Sequence, residues 1–200
     1  MNFSEIFRGH FVRSQYLIFE QDLSSWTYKP GSNSKFICGQ VEKEEFFKLG
    51  GEFLKIMPNA EERFDVGDIC YGAKINGHFA HIKWISFNRS YISEIENTIR
   101  LAPDSVYLYD GYTLPEYRGL RLTSIVLDKT FEFLSTIGIK RAYSFILPNN
   151  SRILKSKERE NAHKIGAVRY FRLFKLKFLS IKGETVENYK TIRKMFRKSE

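Results

Sequence analysis

Between an aromatic, strand-like segment and a helix-like one, the chain reads Leu114-Pro115-Glu116-Tyr117-Arg118-Gly119. A short turn that delivers a helix start is a place to hold phosphate. The first backbone N–H groups of a helix have no acceptor inside it, and the helix dipole is positive at that end. Arg118 and Arg121 add charge beside them. Other reactive types are sparse. Cys38 and Cys70 make no CxxC pair and no Cys-His-Asn order, so buried structural thiols are the reading there. The four histidines are scattered, His78 and His81 being the one close pair, and no metal site is expected.

The elements that must position these groups start with a hairpin. Asn76-Gly77 is the preferred two-residue turn of a type I′ connection, with arms over 68–75 and 78–87. Pairing outward places Ile75 opposite His78, Ala73 opposite Ala80, Tyr71 opposite Ile82 and Ile69 opposite Trp84, one mainly apolar face. His81 then falls on the other, more polar face with Lys74 and Lys83. Upstream, 16–23 reads as a strand, 30–34 as a loop, 36–41 as a strand, and 42–56 as a helix weakened at Gly50-Gly51 and closed by Pro58. Downstream come a helix over 90–101, the aromatic strand 105–113, and a helix over 120–137. That helix gathers Leu122, Val126, Leu127, Phe131 and Leu134 on one half of its wheel. A strand over 140–147, a helix over 149–165 ended by Gly166, and a long strand over 167–181 follow. This order predicts the α/β class: a mixed sheet with at least one βαβ crossover. There is no internal repeat and no low-complexity linker, so residues 1–200 are expected to form one domain.

Composition bounds the partners. Of 200 residues, 42% are apolar and 28% charged, the balance of a globular chain rather than a disordered one. The 18 Phe and 11 Tyr against 2 Trp predict a core packed with aromatic rings. A formal charge of +9 favours anionic partners. Part of it is local: Lys190, Arg193, Lys194, Arg197 and Lys198 follow one another without an acid, read here as a solvated basic helix end. A nucleic-acid role would call for a recognised fold or a basic stripe interleaved with aromatics, and neither is evident. No charged-then-apolar leader and no membrane-length apolar run is present, so a cytoplasmic protein is expected.

The run Thr113-Leu114-Pro115-Glu116-Tyr117-Arg118-Gly119-Leu120-Arg121-Leu122-Thr123 resembles the signature of the GNAT (GCN5-related) N-acetyltransferases, V-x-P-x-x-R-G-x-G-x-G/A between a strand and a long amphipathic helix. The resemblance covers roughly 67–179, which would be the CoA-binding core of a GNAT-like fold: a central mixed β-sheet with splayed strands flanked by helices. The N-terminal part, 1–65, would serve the acceptor side, and 184–200 would be a basic tail. The resemblance implies acetyl-CoA or a longer acyl-CoA as donor and an amine of a small molecule, sugar or amino acid as acceptor, joined by direct attack. The backbone from Arg118 through Gly119, Leu120, Arg121 and Leu122 to Thr123 would cradle the pyrophosphate. Tyr112 and Thr113 would meet the pantetheine arm and thioester, and Asn150 would stand where the family opens its last helix.

Two departures stand out. The later signature glycines are Arg121 and Thr123, and the tyrosine many members place four residues before the glycine of the last helix is Ala162. Acyl transfer to an amine needs a base, a polarised carbonyl and a route for a proton to sulfur. His81, Asp110 and Tyr109 are the candidate catalytic groups. Tyr107 and Tyr112 are further candidates for the acceptor pocket. Two rivals share the fold: an N-acyltransferase taking its acyl group from an acidic acyl carrier protein, and a non-catalytic binding module. The acceptor and the oligomeric state, monomer or homodimer, stay open.

Overall fold

The structure is a computed structural model and describes residues 11–24, 26 and 36–197; the loop expected over 30–34 and Lys198 lie outside these residues. The chain divides into two compact units, one of residues 1–21, 89–101 and 143–200, the other of residues 22–88 and 102–142. The class is α/β with helices flanking the sheet, as expected.

In the second unit the strand order is β7-β4-β3-β2, with β2 Ile37–Val41, β3 Ile69–Ile75, β4 His78–Phe87 and β7 Ser105–Thr113. Helices α1 Lys43–Leu49, α2 Glu52–Ile56 and α3 Ala60–Asp65 cover one face, and α4 Leu122–Thr136 the other. The core on the α1–α3 side joins Phe46, Phe53, Met57 and Ala60 to Cys70, Phe79, Ile82, Trp84 and Leu114. The core on the α4 side joins Leu122, Val126, Phe131 and Leu134 to Tyr71, Ala80, Ile85 and Leu108. Phe46, Phe53 and Trp84 are fully buried, and each such side chain stabilises by about 1.5–3 kcal/mol relative to exposure.

The first unit carries strands β10-β9-β1-β8 in that order: β1 Phe11–Asp22, β8 Arg141–Ile146, β9 His163–Leu173 and β10 Leu176–Gly183; the ends of β1 and β8 reach the unit boundary. β9 pairs antiparallel with both β1 and β10. A two-stranded hairpin, β5 Arg89–Ile92 and β6 Asn97–Arg100, and helices α5 Ser151–Arg159 and α6 Val186–Met195 complete it.

Several expected elements are corrected. The helix expected over 90–101 is the β5–β6 hairpin, closed by a 3-10 turn at Ser93–Ile95 with Glu96 left-handed at φ 42. Its Ile92, Ile95 and Ile99 fill one buried face, which a helical spacing imitates. The helix expected over 149–165 stops at Arg159, and Gly166 lies inside β9. A side-chain atom added at Gly166 would stand 2.1 Å from the Lys182 carbonyl oxygen. Glycine here permits close strand packing rather than ending a helix. The long strand expected over 167–181 is a hairpin that turns at Phe174, φ 54. The helix expected over 42–56 breaks at Gly50-Gly51 into α1 and α2, and α3 was not anticipated.

Candidate functional site

The hairpin turn is as read, with Asn76 at φ 51 and Gly77 at φ 82, the left-handed pair that a type I′ connection demands. Its register is not. Lys74 pairs with Phe79, but Ala73 pairs with His81 rather than Ala80, so Ala80 is an extra residue in β4. One inserted residue reverses every later side chain with respect to simple outward pairing. Tyr71 faces Lys83 instead of Ile82, and Ile69 faces Ile85 instead of Trp84. Helices cover both faces of this sheet, so the polar face expected for His81 is absent, and the residue is 1% exposed.

A second irregularity faces it across the ladder. His81 pairs with Thr113 and Ile82 with Tyr112, yet Trp84 pairs with Tyr109. Three steps of β7 thus match two of β4, and the surplus falls at Asp110-Gly111, with Asp110 left-handed at φ 41. Such a bulge bends the strand and leaves a residue of the backbone outside the ladder, available to another partner. A non-glycine residue held there also stores backbone strain.

The candidate side chains gather around this bulge. His81 Nδ1 and Thr113 Oγ1 are 2.7 Å apart, while His81 Nε2 is buried with no hydrogen-bond partner among the described residues. Burial, aided by the Lys83 charge, pulls the imidazole down to about 3, so His81 is neutral at physiological pH rather than poised near its free-solution value. Asp110 is exposed, and its carboxylate accepts from Arg63 Nη2 at 2.6 Å. The Arg63 guanidinium lies over two neighbouring rings, 5.2 Å from the Trp84 centroid and 5.0 Å from that of Tyr109. The Tyr109 hydroxyl donates to Asp68 Oδ2. Burial raises the Asp68 carboxyl, and burial with the neighbouring Asp68 raises the Tyr109 phenol well above the ordinary range. Tyr107 stacks on Tyr109, centroids 5.3 Å apart. Neither Arg63, in α3, nor Asp68, at the start of the arm expected over 68–75, stands out in the sequence, because an arginine and an aspartate just before a strand carry no periodic signal.

From the bulge the chain runs into the turn. The Leu114 N–H donates to the Ala80 carbonyl at 3.0 Å and its side chain is buried, fixing where β7 ends. A 3-10 turn at Pro115–Tyr117 follows, then Gly119 at φ 90 and Arg121 at φ 58, the latter capping α4 without a side-chain bond of its own. The Arg121 carbonyl accepts from both Ser124 and Ile125 N–H. In helix geometry the N–H groups of Leu122 and Thr123, ahead of those, point out of the helix start. At Gly119 an added Cβ would meet nothing within 4 Å, so the backbone there is open to a ligand. Arg118 folds back over Tyr112, its guanidinium 5.8 Å from the ring centroid and its Nε 3.4 Å from the Thr113 carbonyl oxygen. Leu120 and Arg121 are exposed, Leu122 is an anchor at 1%, and Thr123 is half-buried. Tyr112, Thr113 and Arg118 to Thr123 thus form one continuous stretch of the second unit. Asn150 caps α5 in the first unit, where its side chain accepts from the Ile153 N–H at 3.3 Å.

Burial drives the Cys38 and Cys70 thiols up, away from the nucleophilic thiolate. Among the described residues no three His, Cys, Asp or Glu side chains gather as metal ligands would, and no helix is long and apolar enough to cross a membrane.

No protein-family profile matches the chain, and no curated protein sequence does. Solved structures are similar to it. A protein assigned to the GNAT family of acetyltransferases from Novosphingobium aromaticivorans is 16% identical over 86% of this chain and 66% of its own, with a TM-score of 0.58. The GCN5-related glucosamine N-acetyltransferase region of a fungal multi-domain GH3 β-N-acetylglucosaminidase is 13% identical over 82% of this chain and 21% of its own, at 0.59. A GCN5-related N-acetyltransferase from Kribbella flavida is 12% identical over 82% and 60%, at 0.53. The chain spans less than two thirds of the length of each. At such identities the likeness is one of fold, and the fold of this chain is that of the GNAT acetyltransferases.

Proposed function

We propose that the chain is an acyl-CoA-dependent N-acyltransferase that transfers the acyl group to an amine by direct attack. The observation that carries this reading is the uninterrupted path from the β7 bulge at Asp110-Gly111 to the open turn at Gly119 and the start of α4. A pyrophosphate fits that turn: exposed backbone with outward N–H groups, the positive end of a fifteen-residue helix, and two guanidinium groups. Arg118 and the backbone of Gly119 to Thr123 would hold the phosphates, with Arg121 reaching them where the family's second glycine would stand. When bound, acyl-CoA supplies a thioester carbonyl as electrophile.

What the chain's own residues contribute follows from their surroundings. The backbone freed by the bulge offers hydrogen bonds for an oxygen that gains negative charge, fixed before the reaction begins. Asp110 is the candidate to attract the acceptor ammonium and take up its proton. Of the three candidate groups it alone is exposed, whereas His81 is enclosed and the Tyr109 hydroxyl is committed to Asp68. Tyr109 and Arg63 then act by holding Asp110, and His81 by fixing Thr113 at the strand end. The amine nitrogen forms the new bond to the carbonyl carbon, the carbon–sulfur bond breaks with its electron pair on sulfur, and the proton lost by the amine passes through Asp110 or water to the departing thiolate.

Thermal unfolding with and without acetyl-CoA, then longer acyl-CoAs, tests the reading. A ligand at 100 times its dissociation constant stabilises by about 2.7 kcal/mol, and Arg118→Ala should shrink the resulting shift. Absence of any saturable shift with every acyl-CoA would remove the proposal. With a donor shift in hand, Asp110→Asn should lower kcat while leaving donor binding in place.

A further inference from the structure

In the first unit β10 is the sheet edge, followed by β9 and β1, and the register of these three strands sorts their side chains onto two faces. One face is covered. It carries Ser14, Tyr170 and Leu179 in one rung and Tyr16, Val168 and Ile181 in another. The Ser14 hydroxyl donates to the Glu94 carbonyl at 2.6 Å, and Arg172 and Lys177 pair with Glu96 at 2.9 and 2.7 Å, which fastens the β5–β6 hairpin here. Helix α6 packs on the same side, where a Cβ added at Gly166 would stand 2.6 Å from Ile192 Cδ1. Val168 and Tyr170 are buried in consequence.

The opposite face is open toward the β9–β10 turn. Read from the turn, its rungs are Leu173 with Leu176, then Arg13, Phe171 and Phe178, then Gln15, Arg169 and Ser180. Leu176 is 63% exposed and Phe178 57%, while Leu173 and Phe171 beside them are half-buried. Arg13, Arg169 and Lys175 are exposed as well. The pattern is an apolar patch bounded on three sides by cations: Lys175 at the turn, Arg13 on the β1 side and Arg169 behind. The next rung on this face, Leu17 with Ala167 and Lys182, adds a further cation. No acid stands in these rungs to compensate them. An exposed apolar patch of this kind, rimmed by polar groups, marks a surface that meets a partner.

We propose that this face of β1, β9 and β10 docks on an anionic lipid surface. Leu176 and Phe178 enter the boundary between head groups and acyl chains, and Arg13, Arg169 and Lys175 lie at head-group level on their flexible stems. The pattern favours lipid over the other occupants. A second copy would bring the same cations and no acid to meet them, and the chain's charge of +9 already repels itself. A single-stranded nucleic acid stacks on rings, whereas half of this patch is the aliphatic pair Leu173 and Leu176. The face lies wholly within the first unit, and its role is independent of acyl transfer.

Flotation of the full chain with vesicles of equal parts phosphatidylserine and phosphatidylcholine should show saturable binding that weakens as salt is raised, and little binding to phosphatidylcholine alone. One cation near such a surface is worth about fivefold in affinity, so Arg13→Gln/Arg169→Gln should weaken binding about twenty-five-fold. Leu176→Ser/Phe178→Ser alters no charge and replaces two exposed side chains. Its melting midpoint should hold while vesicle affinity falls at least about tenfold. In Phe178→Trp, lipids brominated on their acyl chains should quench the added indole beyond any quenching of the unaltered chain. Absence of vesicle binding, binding that Leu176→Ser/Phe178→Ser leaves intact, or an indole that brominated chains do not reach would each overturn the proposal. So would a lipid-free dimer in sedimentation velocity, or an oligonucleotide complex, that the same double variant dissolves, since either gives the face to another occupant.

Discussion

His81 enters the folded chain as a neutral imidazole, and that has a consequence for stability that can be signed. Its folded-state pKa, about 3, lies below the ordinary 6.5. Above that ordinary value folded and unfolded chains are both unprotonated at this site, and it contributes no slope. Below it the unfolded chain binds a proton that the folded one refuses, so stability falls with pH down to the folded value. The loss at one and a half pH units below the unfolded pKa is about 2 kcal/mol. His81→Gln should flatten the acid side of a melting-point profile relative to the unaltered chain; an unchanged profile would mean that the imidazole is not held neutral. Arg121 offers a second case. A side chain at φ 58 is strained where glycine is not. Arg121→Gly should therefore stabilise by about 0.5–1 kcal/mol in thermal unfolding, while weakening donor binding if the guanidinium reaches the phosphate.

At the scale of elements, sequence patterns carried the reading where one periodicity ran unbroken. The α4 stripe of Leu122, Val126, Leu127, Phe131 and Leu134 is buried as the wheel predicts, and the Asn76-Gly77 turn sits where the dipeptide placed it. The strand, turn and helix from 105 to 136 were legible because proline and glycine mark the turn locally. What failed were inferences that step through an irregularity. A period of two cannot announce that Ala80 is an extra residue, nor that α1–α3 and α4 cover both faces of the sheet and leave His81 in the interior. The Asp110-Gly111 bulge is equally silent in the sequence, as are Arg63 and Asp68, which reach the site from outside the β4–β7 ladder. Gly166 failed differently: glycine marks helix ends and crowded strands alike, and only the neighbouring carbonyl decides. A Cβ there would also lie 2.6 Å from Ile192 Cδ1. Ile192 could move, but the Lys182 carbonyl belongs to the paired strand. Gly166→Ala should cost more than about 2 kcal/mol, beyond the ordinary range of surface substitutions, and a chemical-denaturation series measures it. A cost within half a kcal/mol would show that β9 and β10 can part without loss.

For the whole molecule, the excess of positive charge and the division into two compact units combine into one expectation. A net charge of +9 repels itself, so a bound anion stabilises both by its contacts and by lowering that repulsion. Midpoints alone would therefore rise with many anions and could not locate the proposed donor site. Amide exchange can, because protection is local and reports the opening of individual segments. Acetyl-CoA should slow exchange over 113–124, the end of β7, the turn and the start of α4, where backbone N–H groups themselves are the proposed ligands. Residues 89–100, which belong to the other unit, should keep their original rate. Protection by acetyl-CoA elsewhere and not at 113–124 would leave the turn before α4 without its proposed role. Slowing spread evenly over both units would identify charge neutralisation, rather than a built site, as the source of the stabilisation.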